Sequence, residues 1–156
     1  MAEEIIPHLV RSLAYMSCVG LSLSGVCLGI VNATPGITLA SEIKFEISSF
    51  LASLVFISAP SLYAFIIFFL FNMTKDDQLD IVSAFKLLTN GVILGVSSGI
   101  SAYGLGIANR SLLPTKAKRP KFSVQFYLVN IFIELVSLIG LIITFIGISS
   151  IKADAN

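Results

Sequence analysis

Charged residues are scarce in this sequence. They make up 12% of its 156 residues, 56% of the residues are hydrophobic, and the mean hydropathy is +0.95. Charged residues are about 25% of an ordinary soluble domain, so this composition excludes that class and predicts a membrane protein.

Metal ligands and disulfide partners are scarce as well. His8 is the single histidine and has no partner at ligand spacing, which excludes a His/Cys metal cluster. Cys18 and Cys27 are nine residues apart in one predicted helix, too far apart to form a disulfide, so both are expected to be packing residues. No cofactor is predicted.

Long uncharged stretches predict an all-α membrane protein with four transmembrane helices. Each stretch exceeds the roughly 20 residues that cross the hydrocarbon core as a helix. The predicted helices cover residues 12–37, 47–73, 84–109 and 122–151, all approximate. The first is too long for the apolar core of a secretion signal and is expected to stay in the mature protein. Only short tails and connections remain, which excludes a soluble active site.

The sequence also repeats itself. Shifted by 77 residues, segment 28–32 (LGIVN) falls on 105–109 (LGIAN), and shifted by 76, segment 61–67 falls on 137–143. Residues 1–76 and 77–156 are therefore predicted to be two duplicated helical hairpins. The first helix of each carries a stripe of small residues at helical spacing: Ala14, Cys18, Ser22, Gly25 and Gly29, then Gly91, Gly95, Gly99, Ala102 and Gly106.

Such stripes let helix backbones approach closely in a membrane. Five small residues in succession, in both repeats, favour an inner layer in which many copies of the helix pack around a ring. A generic dimer face is the alternative. The second helix of each hairpin is richer in Phe and Ile, as expected of an outer layer against lipid.

The distribution of basic residues predicts the orientation. One side has six, namely Lys44, Arg110, Lys116, Lys118, Arg119 and Lys121, and the other has Arg11, Lys75, Lys86 and Lys152. The connections after helices one and three are therefore predicted to be cytoplasmic. Both termini and the loop around Asp76, Asp77 and Asp80 are predicted to be luminal. The basic connection 110–121 either only sets this topology or also docks a soluble partner.

Glu134 is the one charged residue inside the apolar stretches 12–41, 47–74, 87–109 and 122–151, and it lies near the bilayer midplane. An acid there costs about 2.5 to 3.5 kcal/mol, so it predicts a function. A low dielectric favours the neutral carboxyl, so Glu134 is expected to be protonated when facing lipid and ionised near a cation or water. This is the behaviour of a proton carrier. A neutral glutamic acid that only bonds a neighbouring helix is the alternative. At the 76-residue offset Glu134 aligns with Ser58.

Two segments carry a resemblance to a known family. Residues 95–108 (GVSSGISAYGLGIA), then the basic connection, then residues 131–142 (IFIELVSLIGLI) resemble the proteolipid c subunit of the vacuolar-type ATPase. The resemblance covers all four helices and is most specific in the second hairpin.

The resemblance implies a non-catalytic member of a rotating ring in the Vo sector, which carries one proton on Glu134. It implies that Tyr63 lies near Glu134 and hydrogen-bonds its protonated form. From the repeat alignment, Ser58 is predicted to be a further neighbour of the proton site. The implied partners are other c-type proteolipids, the stator a subunit with its arginine and aqueous half-channels, and the central-stalk d subunit. The d subunit would contact the basic connection. ATP hydrolysis would occur on other subunits, and the location would be a vacuolar or other endomembrane. No nucleic acid is implied.

Some residues depart from the family pattern. Segment 59–61 (APS) predicts a kink in helix two. Sodium-carrying relatives surround the glutamate with Gln and Thr oxygens from helices two and three. Here helix three has no Gln, and the matching positions in helix two are Ala59 and Pro60, so the proton is the predicted ion. The divergence leaves open whether this is the main ring subunit or a variant. Two other classes also stay open: a small four-helix proton-coupled antiporter that uses Glu134, and a membrane-organising protein without transport.

Overall fold

Four long helices make up nearly all of the part of the chain that the structure describes. The computed structural model describes residues 2–44, 46–73 and 80–154. The helices are α1 (Ala2–Ile43), α2 (Ile47–Asn72), α3 (Ile81–Lys118) and α4 (Ser123–Asp154), and a 3₁₀ turn, Pro120–Phe122, precedes α4. Each contains a stretch long and apolar enough to cross a membrane. This confirms the predicted all-α class with four transmembrane helices.

The acidic loop is only partly described. Lys75, Asp76 and Asp77 lie outside the described residues, as does the predicted boundary between residues 76 and 77. Asp80 is described, and its side chain caps α3 by accepting a hydrogen bond from the backbone N–H of Ile81 at 2.8 Å. The division into two duplicated hairpins and the membrane orientation stay predictions.

Helices α1 and α3 are longer than predicted. With 42 and 38 residues they are about 63 and 57 Å long, roughly twice the thickness of the hydrocarbon core. The prediction placed their ends where polar or charged residues begin. Polar residues do not end a helix, so both continue beyond the apolar stretch.

The basic connection was wrongly predicted as a loop over residues 110–121. Helix α3 continues to Lys118, and only Arg119 and the 3₁₀ turn separate it from α4. Lysine and arginine are good helix formers and are favourable at a helix C-terminus, where Lys116 and Lys118 lie. Pro114 removes one backbone hydrogen bond without ending the helix.

Helices α1 and α3 run parallel with their backbones in close contact. A Cβ atom on Gly25 would lie 2.3 Å from the Cα of Gly99, and one on Gly106 would lie 2.5 Å from the Cα of Gly29. All ten residues of the two small-residue stripes are buried. The glycines among them face the opposite helix of the same chain. Close approach of the two backbones therefore requires small residues here.

Helix α3 packs against α1, α2 and α4, whereas the backbones of α1 and α4 do not come close to each other in the described residues. Helix α2 continues through Pro60, and the kink there stays a prediction. Both cysteines are free, as predicted. Cys18 is buried in the core, whereas Cys27 is exposed and does not contribute to the core of this chain.

Candidate functional site around Glu134

Glu134 lies in the first half of α4, within the membrane-spanning stretch Ser123–Ile151. It is 11 residues from one end and 17 from the other, or about 17 and 26 Å along the axis. Its side chain is half-buried. The carboxyl is therefore at hydrocarbon depth, where an acid needs a polar partner.

The partner is on α2. The phenolic hydroxyl of Tyr63 donates a hydrogen bond to Oε1 of Glu134 at 2.7 Å, joining residues 71 positions apart in the chain. Tyr63 is also half-buried. This places Tyr63 where the family resemblance implied.

A neutral hydroxyl suits a carboxyl that changes its protonation state. It can donate to Oε1 whether the other oxygen carries a proton or not. A lysine or arginine in the same place would favour the ionised form permanently. The geometry can hold both states of Glu134, which a proton carrier requires.

Ser58, unlike Tyr63, does not hydrogen-bond Glu134. Its hydroxyl donates to the backbone carbonyl of Val55 in its own helix at 3.1 Å. Ser58 and Tyr63 are five residues apart, which corresponds to about 140° around the helix. Both cannot face Glu134, so the repeat alignment misplaced Ser58 as a neighbour of the carboxyl.

Helix α3 borders the site on another side. The hydroxyl of Ser101 donates to the backbone carbonyl of Ile133 at 3.0 Å, directly beside Glu134. A Cβ on Gly104 would lie 3.3 Å from Cγ2 of Ile133. Nothing in the sequence distinguishes Ser101, because serine is frequent in all four helices.

A pair of buried amides lies one turn from Glu134. The side-chain NH₂ of Asn109 donates to Oδ1 of Asn130 at 2.7 Å, and both side chains are fully buried. Sequence reasoning missed the pair. Each asparagine lies within an apolar span, which was a signal, but only the fold shows that the two meet.

The five basic residues predicted to face a stalk are not equivalent. Arg110, Lys118, Arg119 and Lys121 are exposed. Lys116 is buried, with its Nζ 4.5 Å from the ring centre of Phe126 and 4.6 Å from that of Tyr127. Its ammonium lies against aromatic faces that attract a cation. Lys116 is therefore not available as a contact for a partner, whereas the other four are.

Comparisons with known proteins agree with the resemblance. Residues 88–147 match a family model described as the ATP synthase C subunit. The chain is also similar to the human 16 kDa proteolipid c subunit of the V-type proton ATPase, with 25% identity over 126 residues, which cover 80% of this chain and 81% of that protein. The matched segment holds Glu134, Asn109, Asn130 and Ser101. Residues 88–147 of this integral membrane protein are therefore similar to the ATP synthase C subunit family.

Proposed function

We propose that this protein is a proton-carrying subunit of the rotor ring in a V-type proton-pumping ATPase. The observation that carries the proposal is the hydrogen bond between Tyr63 and Glu134 at hydrocarbon depth. The family is one of c-type ring subunits, which supports assembly with further copies or sister proteolipids.

Glu134 would cross the lipid in its neutral form. At the interface with the stator a subunit, an arginine and an aqueous half-channel would favour the carboxylate, and the proton would leave. The carboxyl would take up a proton from the other half-channel as the ring turns. Throughout, the Tyr63 hydroxyl can donate to the same oxygen, so the side chain needs no new position in either state.

The chain itself would catalyse no reaction. ATP hydrolysis on other subunits would drive rotation through the central stalk. We propose that the d subunit binds the exposed basic residues Arg110, Lys118, Arg119 and Lys121 at the cytoplasmic end. The complex would lie in a vacuolar or other endomembrane, with both termini of this chain luminal.

The transported ion would be the proton. The hydroxyl of Tyr63 is the side-chain group hydrogen-bonded to Glu134 in the described structure, and Pro60 on the same helix is buried without a side-chain oxygen to offer. A sodium ion needs several oxygen ligands. Sodium should therefore not protect Glu134 from labelling by a hydrophobic carbodiimide, and strong protection would contradict a proton-only site.

The direct test is Glu134→Gln in the complete, reconstituted complex. Gln keeps the size and the acceptor oxygen but cannot release a proton, so assembly should persist and ATP-driven proton pumping should stop. Glu42→Gln, at an exposed position near the end of α1, is the matched control and should pump normally. Undiminished pumping by Glu134→Gln would overturn the proposal.

The mass of the detergent-solubilised assembly separates the rotor from the antiporter. A ring of many copies supports the rotor, whereas a dimer without ATPase subunits supports a small proton-coupled antiporter that uses Glu134.

A further inference from the structure

Helix α4 needs something other than hydrophobicity to fix its rotation about its own axis. Lipid is as apolar as the side chains of α4, so burial of those side chains gives little preference for one rotation. Polar contacts between helices can supply that preference. Four side-chain hydrogen bonds join α3 and α4 in the described residues: Ser101 to Ile133, Asn109 to Asn130, Thr144 to Asn90, and Lys116 to Tyr127.

The asparagine pair differs from the other three bonds. It joins two fully buried side chains at 2.7 Å, whereas the serine and the threonine each donate to a backbone carbonyl, and the 3.4 Å bond from Lys116 ends on the exposed Tyr127. The NH₂ group of Asn109 also donates to the carbonyl of Leu105 at 2.8 Å, and that of Asn130 donates to the carbonyl of Phe126 at 2.7 Å. Each amide is thus tied to its own helix as well as to the other.

The asparagine pair lowers the stability of the contact between α3 and α4 relative to an apolar pair. Oδ1 of Asn109 is buried and has no hydrogen-bond partner among the residues that the structure describes. An unsatisfied buried carbonyl destabilises a fold, and apolar residues of similar shape would avoid this cost. A buried asparagine pair is a known means of fixing the register of two helices at some cost in stability.

Glu134 is four residues after Asn130, which places it about 6 Å along the axis and 40° around it. A side-chain group about 5–6 Å from the axis moves about 3 Å when the helix turns by about 30°. That displacement is enough to break the 2.7 Å bond between Tyr63 and Glu134. The rotation of α4 therefore decides whether the two groups meet.

We propose that the hydrogen bond between Asn109 and Asn130 fixes the rotation of α4 and so holds Glu134 within reach of Tyr63. The two asparagines are positioning residues, since neither touches the carboxyl in the described contacts. This inference rests on the proposed function of Glu134 as a proton carrier.

The test compares Asn109→Leu, Asn130→Leu and the double variant in the complete complex. The readout is the pH dependence of Glu134 labelling by a hydrophobic carbodiimide. Loss of the Tyr63 hydroxyl, which would stabilise the carboxylate, should move the labelling midpoint to higher pH by about one unit. Because both single variants break the same bond, the double variant should move it no further than either one.

Asn32→Leu is the matched control. Asn32 is the repeat equivalent of Asn109 on α1, and its side chain donates within its own helix to Leu28 at 2.8 Å. Its replacement should leave the midpoint unchanged. If a single variant fails to assemble, the double variant still serves, since it leaves no amide without its partner.

The outcomes separate the two proposals. An unshifted midpoint in the double variant, with normal labelling, would overturn the positioning role and leave the proton carrier intact. Tyr63→Phe can also be added to the double variant. If it then shifts the midpoint as far as Tyr63→Phe does alone, the bond between Tyr63 and Glu134 was still present in the double variant, and the positioning role is overturned. Absence of Glu134 labelling in the unsubstituted complex, or pumping by Glu134→Gln, would instead refute the carrier itself.

Discussion

Tyr63→Phe removes one oxygen atom from the site and leaves the aromatic ring in place. The lost hydroxyl donates to Oε1 of Glu134 at 2.7 Å, a distance typical of a strong bond between a hydroxyl and a carboxyl oxygen. The ring should keep its packing between α2 and α4, because the substitution does not change its shape. The effect should therefore fall on the proton equilibrium of Glu134 more than on folding.

The magnitude follows from the bond. A hydrogen bond to a charged group contributes about 1.5–3 kcal/mol, and about 1.4 kcal/mol corresponds to one pH unit of titration. The labelling midpoint of Glu134 should therefore shift by at most about two pH units. Both side chains are only half-buried, and water can replace part of the lost bond, so we expect a shift of about one unit.

The assay is the pH profile of carbodiimide labelling of Glu134 in the complete complex. The hydroxyl stabilises the carboxylate more than the neutral acid, so its loss should move the midpoint to higher pH. ATP-driven pumping should slow at neutral pH, since proton release becomes harder. Tyr103→Phe is the matched control, because Tyr103 is 42% exposed on α3. Equal midpoints for Tyr63→Phe and Tyr103→Phe would refute this account of the site.

Three further substitutions test the fold by thermal unfolding in detergent. Gly25→Ala should lower the free energy of unfolding by about 1–3 kcal/mol, because a Cβ there would lie 2.3 Å from the opposite backbone. Gly20→Ala is the control and should be neutral or stabilising, because a Cβ there would meet nothing within 4 Å. Equal losses of stability in the two variants would contradict the close contact between the helices. Lys116→Met should lose the cation–π contacts, worth about 0.5–2 kcal/mol, and exposed Lys118→Met should not. The pKa of the partly exposed Glu46 carboxyl is lowered, first by its hydrogen bond with Lys44. At pH values above its ordinary pKa, the ionised carboxyl therefore stabilises the fold slightly, and this stabilisation is lost as the pH falls through the lowered pKa. Glu46→Gln should abolish that part of the pH dependence, and an unchanged acid profile would count against the ion pair.

Hydropathy was sufficient to predict the four helices because the requirement to span hydrocarbon leaves few alternatives for a chain this apolar. It was not sufficient for their ends. Nothing in an apolar count shows that α3 passes Arg110 and Pro114 and continues to Lys118. The helix is continued by local backbone hydrogen bonds, which charged side chains do not disturb.

The site was partly predictable for a similar reason. Glu134 stands out because one charge in an apolar span is costly and visible in sequence. Asn109 and Asn130 are uncharged and interrupt no span, and their importance depends on a contact between helices. The repeat drew attention to Asn109 only as a match to Asn32. Both side chains donate within their own helix, but that of Asn109 also donates to Asn130 on α4.

The small-residue stripes cannot show from sequence alone whether they join two helices of one chain or helices of two neighbouring chains. Their spacing predicts that two helix backbones approach closely, but it is the same for helices of one chain and of neighbouring chains. In the structure the stripes of α1 and α3 face each other within the chain, and all ten residues are buried there. Neighbouring subunits in a ring would have to meet through other faces of α1 and α3, such as the surface around Gly20, where a Cβ would meet nothing within 4 Å. Bulkier residues on those faces should therefore affect assembly of the ring, whereas bulkier residues in the stripes should already affect folding of the single chain.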